Sequence, residues 1–151
     1  MTTPSTERAV AGGASPAGTR ACAERRGAAG GEAYGPLGRT GLTVCRLGFG
    51  GYRVNDETPV HRSALEQALA GGVNLVDTSP NYADGGSERL VGRVVADAVR
   101  TGRLAREEIV VVSKIGYVQE ENLALAQERE TAGRPFLPWS HSAGNGRRED
   151  S

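Results

Sequence analysis

The stretch Gly72-Val-Asn-Leu-Val-Asp-Thr-Ser-Pro-Asn-Tyr82 decides the fold. Its first half, Val73-Asn-Leu-Val76, is too short and too β-branched for anything but a strand, and it delivers Asp77 at its C-terminal end. Upstream, Thr58-Pro59 supplies an N-cap and a proline at the first helical position. Val60, Ala64, Leu65, Ala68 and Leu69 then fall on one helical face until Gly71-Gly72 stops the helix. Downstream, a loop with Pro80 and Gly85-Gly86 leads to Ser87, expected to cap a second helix. That helix carries the apolar stripe Leu90, Val91, Val94, Val95, Ala98 and Val99. The run Ile109-Val-Val-Val-Ser-Lys114 is the next strand.

Working outward, Arg46-Leu-Gly-Phe49 reads as a first core strand. It is ended by Gly50-Gly51, which either turns the chain or lets backbone approach a ligand closely. Before it, Tyr34-Gly-Pro-Leu37 and Leu42-Thr-Val-Cys45 flank Gly38-Arg-Thr-Gly41, the pattern of an N-terminal β-hairpin. Beyond Tyr117 the segment from about residue 120 to 132 has helical composition but a weak stripe. The order β-α-β-α-β, with strands apolar on both faces, calls for an α/β fold in which helices cover a parallel sheet. A barrel and an open doubly wound sheet both satisfy it.

The 151 residues have room for one domain. Residues 1–33 are mostly small, polar or charged and should form a disordered arm, and the tail 136–151 has the same defect. Formal net charge is zero and no basic stripe stands out, so neither nucleic acid nor a membrane surface is an expected partner. No signal-like or membrane-spanning apolar run occurs, which makes a cytoplasmic location the expectation. Cys22 and Cys45 are expected to be reduced thiols, and no metal-ligand spacing exists.

Of the 18 basic residues only one, Lys114, is a lysine. Arginine stays protonated at any working pH, whereas a lysine can shift its pKa and tune a neighbouring acid. In parallel α/β folds functional groups gather at the C-terminal ends of strands, where Asp77, Tyr82 and Lys114 all lie. A carboxylate and an ammonium beside a phenol form a proton-transfer device, in which the cation favours the phenolate and the acid fixes the cation. Each alone has a plainer explanation: a turn cap, a packed ring, a solvated amine.

Three ordered blocks resemble the aldo/keto reductase family. They are Leu47-Gly-Phe-Gly-Gly51, Gly72 to Tyr82 followed by Gly86-Ser-Glu-Arg-Leu-Val-Gly92, and Arg106-Glu-Glu-Ile-Val-Val-Val-Ser-Lys114. Leu37-Gly-Arg-Thr-Gly-Leu42 is similar to the family's N-terminal hairpin. The resemblance implies a (β/α)8 TIM barrel that reduces aldehydes, ketones or sugars with NADP as cofactor, or runs the reverse oxidation. It makes Tyr82 the general acid, Lys114 the group that lowers its pKa, and Asp77 the partner of Lys114. Gly51, Tyr52 and Asp77 would lie at the cofactor.

The family's active site also uses a histidine at the end of the fourth strand. Here the two histidines are His61, within the first helix, and His141, in the tail. Residues 34–135 are therefore expected to form about three βα units of a barrel that is truncated before its fourth strand, a chain inactive by itself. Three rivals stand beside that reading: a non-catalytic remnant, self-association through open sheet edges, and a Rossmann-type half. The last is weakened by Arg53, which stands where the third glycine of its motif belongs.

Overall fold

The computed structural model describes residues 10–27, 32–115 and 120–134. They divide into one unit that runs through Lys114 and a second that starts at Ile115. The second unit holds helix α4, Glu120–Thr131, whose exposed Leu123 and Leu125 match its weak apolar stripe. The expected disordered tail, with His141, lies outside the described residues.

In the first unit β1, Tyr34–Pro36, pairs antiparallel with β2, Thr43–Cys45, in the register Gly35 opposite Val44. The turn between them uses left-handed backbone at Gly38 and Gly41, where φ is 53° and 77°. A separate parallel sheet has the order β3-β4-β5, formed by Phe49–Gly50, Leu75–Asp77 and Val110–Val112. Asp77 stands opposite Gly50 on one side and Val112 on the other, so the three strand ends are level. Helices α2, Pro59–Ala70, and α3, Gly86–Arg100, make the β-α-β crossovers. Among the described residues no helix is long and apolar enough to cross a membrane.

The core lies where these two helices meet the sheet. Leu65 and Leu69 of α2, Val76 of β4, and Leu90, Val91, Val94, Val95 and Ala98 of α3 are buried together with Leu104 and Ile109. The stripe expected on α3 is the stripe it buries, except that Val99 is only partly buried. On α2 the expectation was too wide, because Val60 is 66% exposed and Ala64 also faces solvent. Pro59 does occupy the first turn, but the Thr58 side chain makes no capping bond there. Asn55 Oδ1 instead accepts from the backbone N–H of Glu57 and of Thr58.

Two expectations about the ends of elements are corrected. Ser87 does not cap α3; the cap position falls on Gly85, in left-handed backbone at φ 80°, and Ser87 turns its hydroxyl inward. Within the stretch expected to be a disordered arm, residues 16–27 form helix α1, Pro16–Gly27. Burial of large apolar side chains is not what seats it. Gly18 packs so close to Glu107 that a Cβ would come within 2.5 Å of Glu107 Cβ, and Thr19 and Cys22 are fully buried. Ser15 Oγ accepts from the Gly18 N–H, Thr19 Oγ1 accepts from the Thr43 N–H, and Arg25 pairs with Glu108 at 2.8 Å.

That contact reaches the N-terminal ends of the strands. Buried Asn74, just before β4, accepts from the Cys45 N–H and donates to the carbonyls of Thr43 and Glu108. One amide thus joins three segments with all its hydrogen bonds satisfied. The opposite, C-terminal ends of β3, β4 and β5 are left to carry Tyr52, Asp77 and Lys114.

Candidate active site

The level strand ends bring Asp77 and Lys114 together. Lys114 Nζ donates to Asp77 Oδ1 at 2.7 Å and Oδ2 at 2.8 Å, and to the Thr78 carbonyl at 3.0 Å. The same ammonium sits 4.5 Å from the centre of the Tyr82 ring. Asp77 first, and then a side-chain hydrogen bond with Tyr82, raise the Lys114 pKa above the ordinary lysine value. Both members of the ion pair are a little under half exposed, at 43% and 45%, so the pair faces an open surface that a small molecule can reach.

Tyr82 reaches this place because the loop after β4 folds back. Its N–H donates to the Ser79 carbonyl, and its carbonyl accepts from the Ser87 N–H at the start of α3. Ala83 and Asp84 then take left-handed backbone, with φ of 48° and 50°, to turn the chain into the helix. The Tyr82 ring meets Tyr52 edge-on, with centroids 5.2 Å apart and planes at 78°. Tyr52 is 64% exposed, and the Arg53 guanidinium carbon lies over its ring at 5.3 Å from the centroid.

The segment that carries Tyr52 is pinned at both ends. Gly51 N–H donates to the Asp77 carbonyl at 2.7 Å. Asp56 is held by Arg89 at 3.0 Å and Arg93 at 3.2 Å, both from α3. The Arg89 guanidinium, through its hydrogen bond, is the main reason the Asp56 pKa falls below the usual carboxylate range. His61 Nδ1 accepts from the Asn55 N–H and so supports the same loop.

The structure therefore joins Asp77, Tyr82 and Lys114 and places Tyr52 beside them. Gly51 is different in kind. Its missing side chain makes room for protein, since a Cβ there would stand 2.5 Å from Ser87 Oγ and 2.6 Å from the Asp77 carbonyl. Gly50, by contrast, faces open space. Sequence reasoning missed Thr78 and Ser87, which hydrogen-bond through their hydroxyls at 2.8 Å and are both buried. The signal was a pair of small hydroxyl residues flanking the Tyr82 loop, masked by the more familiar reading of Ser87 as a cap. Ser113 Oγ on Glu88, at 2.5 Å, ties the residue before Lys114 to α3 in a similar way.

A parallel sheet with a carboxylate, a phenol and an ammonium clustered at its C-terminal edge defines the class, and comparison with known proteins defines the family. The pattern of the aldo/keto reductase family matches residues 46–133, more than half of the chain, and the chain belongs to that family. It is similar to the NADH-specific methylglyoxal reductase of Escherichia coli (strain K12), 32% identical over 98 residues that span 60% of this chain and 28% of the relative. It is also similar to the NADPH-dependent D-xylose reductase of Candida boidinii, 33% identical over 75 residues spanning 50% and 22%. A third relative is the aldo-keto reductase AMT2 of Alternaria alternata, 31% identical over 90 residues spanning 54% and 23%. The chain spans less than a third of the length of these curated relatives. Their names divide between NADH and NADPH, so they support a nicotinamide cofactor without singling out NADP.

Proposed function

We propose that this chain carries the proton-transfer half of a nicotinamide-dependent carbonyl reductase, and that the 151-residue polypeptide does not turn over by itself. The observation that carries the first part is Lys114, bound to both carboxylate oxygens of Asp77 while it faces the Tyr82 ring. In this reading β3-α2-β4-α3-β5 is the opening portion of a (β/α)8 barrel, and the β1–β2 pair is its N-terminal hairpin.

An exposed aromatic ring next to the proton donor, Tyr52 beside Tyr82, fits the flat face of a nicotinamide. A dihydronicotinamide held there would be the source of hydride for an aldehyde or ketone carbon. Tyr82 gives its hydroxyl proton to the carbonyl oxygen. Lys114 stabilises the charge left on the phenol oxygen, and Asp77 keeps the lysine charged. Family resemblance favours NADP as the coenzyme and a small carbonyl compound or sugar as the substrate. A cytoplasmic setting, where both thiols stay reduced, suits this chemistry.

The proposed silence rests on the histidines at hand: the 151 residues offer only His61 and His141 for the carbonyl-orienting role. Among the described residues β3 and β5 are also the edge strands of their sheet, which supports self-association of the chain. The test is titration of the purified chain with NADH and NADPH by fluorescence, with carbonyl-dependent coenzyme oxidation read in parallel. No saturable binding and no turnover are expected; either one would overturn the silent reading.

A further inference from the structure

We propose that Thr78 and Ser87 form a positioning pair that aims the Thr78 carbonyl at the Lys114 ammonium and so holds the amine beside Tyr82. The proposal rests on the reading of Lys114 as the cation that serves Tyr82. Lys114 has three N–H donors, and two of its oxygen acceptors belong to the half-exposed Asp77 side chain. An exposed ion pair of that kind fixes little by itself. The Thr78 carbonyl, at 3.0 Å, is the backbone partner, and its direction is set by how Thr78 is anchored.

Thr78 is anchored twice. Its N–H donates to the Val112 carbonyl at 2.8 Å, which extends the pairing of β4 with β5 by one residue beyond Asp77. Its hydroxyl meets Ser87 Oγ at 2.8 Å, with Thr78 only 1% exposed and Ser87 fully buried. Gly51 closes the third side, for no Cβ fits between its Cα and Ser87 Oγ. The hydroxyl pair thus links the ends of β3 and β4 to the first turn of α3, and the carbonyl it orients points at the only lysine in the chain. Hydroxyls buried this deeply are costly if either loses its partner, so the pair locks one rotamer of Thr78.

Because Lys114 is the sole lysine, 15N-lysine labelling gives one side-chain Nζ resonance, with no other lysine to overlap it. Asp77 and Tyr82 are the titratable groups that act on it. The resonance is followed against pH in the full chain and in Thr78→Val, Ser87→Ala, the double variant and Thr78→Ser, with stability measured on each by denaturant unfolding. In Thr78→Val and in the double variant the titration midpoint should fall toward that of a free lysine, and the ammonium signal should broaden through faster exchange with water. Thr78→Ser, which keeps the hydroxyl, should retain both. The double variant leaves no hydroxyl unpaired and should regain stability relative to the single ones while Lys114 stays released.

If stability moves but the Lys114 midpoint and linewidth do not, in singles and double alike, the pair is merely structural and the proposal is overturned. Tyr82→Phe separates this from the function on which it rests. A Lys114 signal that responds to Thr78→Val but ignores Tyr82→Phe would sustain the positioning pair and overturn the role given to Tyr82.

Discussion

Gly51 and Ser87 are in such close contact that a single added carbon on Gly51 would stand 2.5 Å from the Ser87 hydroxyl and 2.6 Å from the Asp77 carbonyl. One of those atoms belongs to backbone that carries a candidate catalytic residue, so it cannot step aside alone. Gly51→Ala should therefore destabilise the chain by about 1–3 kcal/mol, the usual cost of overpacking, and move Asp77. Gly50→Ala, facing open space, should be close to neutral. Denaturant midpoints of the two variants check the contrast.

The core makes a sharper distinction than the apolar pattern did. Ile109 is fully buried in the core cluster, and Ile109→Ala should cost about 2–5 kcal/mol. Val60→Ser, at a position 66% exposed, should stay within about 0.5 kcal/mol of the parent. Equal losses in urea unfolding would contradict the assignment of the buried face of α2.

Stability should fall at both ends of the pH scale, for opposite reasons. Hydrogen bonds from Arg89 and Arg62 lower the pKa values of Asp56 and Asp97 below their ordinary 3.8. The native state thus favours their charged forms, and the stability they give is present above pH 3.8 and lost as pH falls through the lower folded values. Burial raises the pKa of Cys22 above 9.0 and of Tyr34 above 10.0. For these the protonated form is favoured, so their stability is present below pH 9.0 and lost as pH rises through the folded values. A Tm profile against pH should show a plateau between the limbs, and Asp56→Asn should make the acid limb shallower.

One close approach stands out among the contacts that seat helix α1. A side chain at position 18 would run into Glu107, where a Cβ already falls 2.5 Å from Glu107 Cβ and 2.6 Å from its carbonyl oxygen. Gly18→Val should detach the helix and expose Cys22, which is 1% exposed in the parent. Thiol titration under native conditions should then find Cys22 reacting many-fold faster, with Cys45, already partly accessible, changing less.

The parallel sheet and the three strand-end residues were legible because they depend on features written locally. Runs such as Val110 to Val112 are strand-like in any context, and level strand ends bring Asp77 to Lys114 wherever two such strands pair side by side. What escaped the sequence reading depends on contacts across the chain. Helix α1 has almost no apolar stripe and is seated by a glycine, a serine cap and an arginine that finds Glu108 83 residues away. Ser87 looked like a cap because serine often is one, and only the approach of Thr78 and Gly51 shows why it faces inward. Gly51 had two readings, a turn or a ligand approach. The structure adds a third, packing against the end of the neighbouring strand.

The most direct measurement of the central claim is carbonyl turnover in a chimera, with residues 46–115 of this chain replacing the matching segment of the Escherichia coli methylglyoxal reductase. The expected result is coenzyme-dependent reduction of methylglyoxal that falls about 10²–10⁴-fold in Tyr82→Phe, the range for loss of a general acid, with a comparable loss in Lys114→Met. A chimera that folds and binds coenzyme, yet turns over equally well with and without the Tyr82 hydroxyl, would contradict the account.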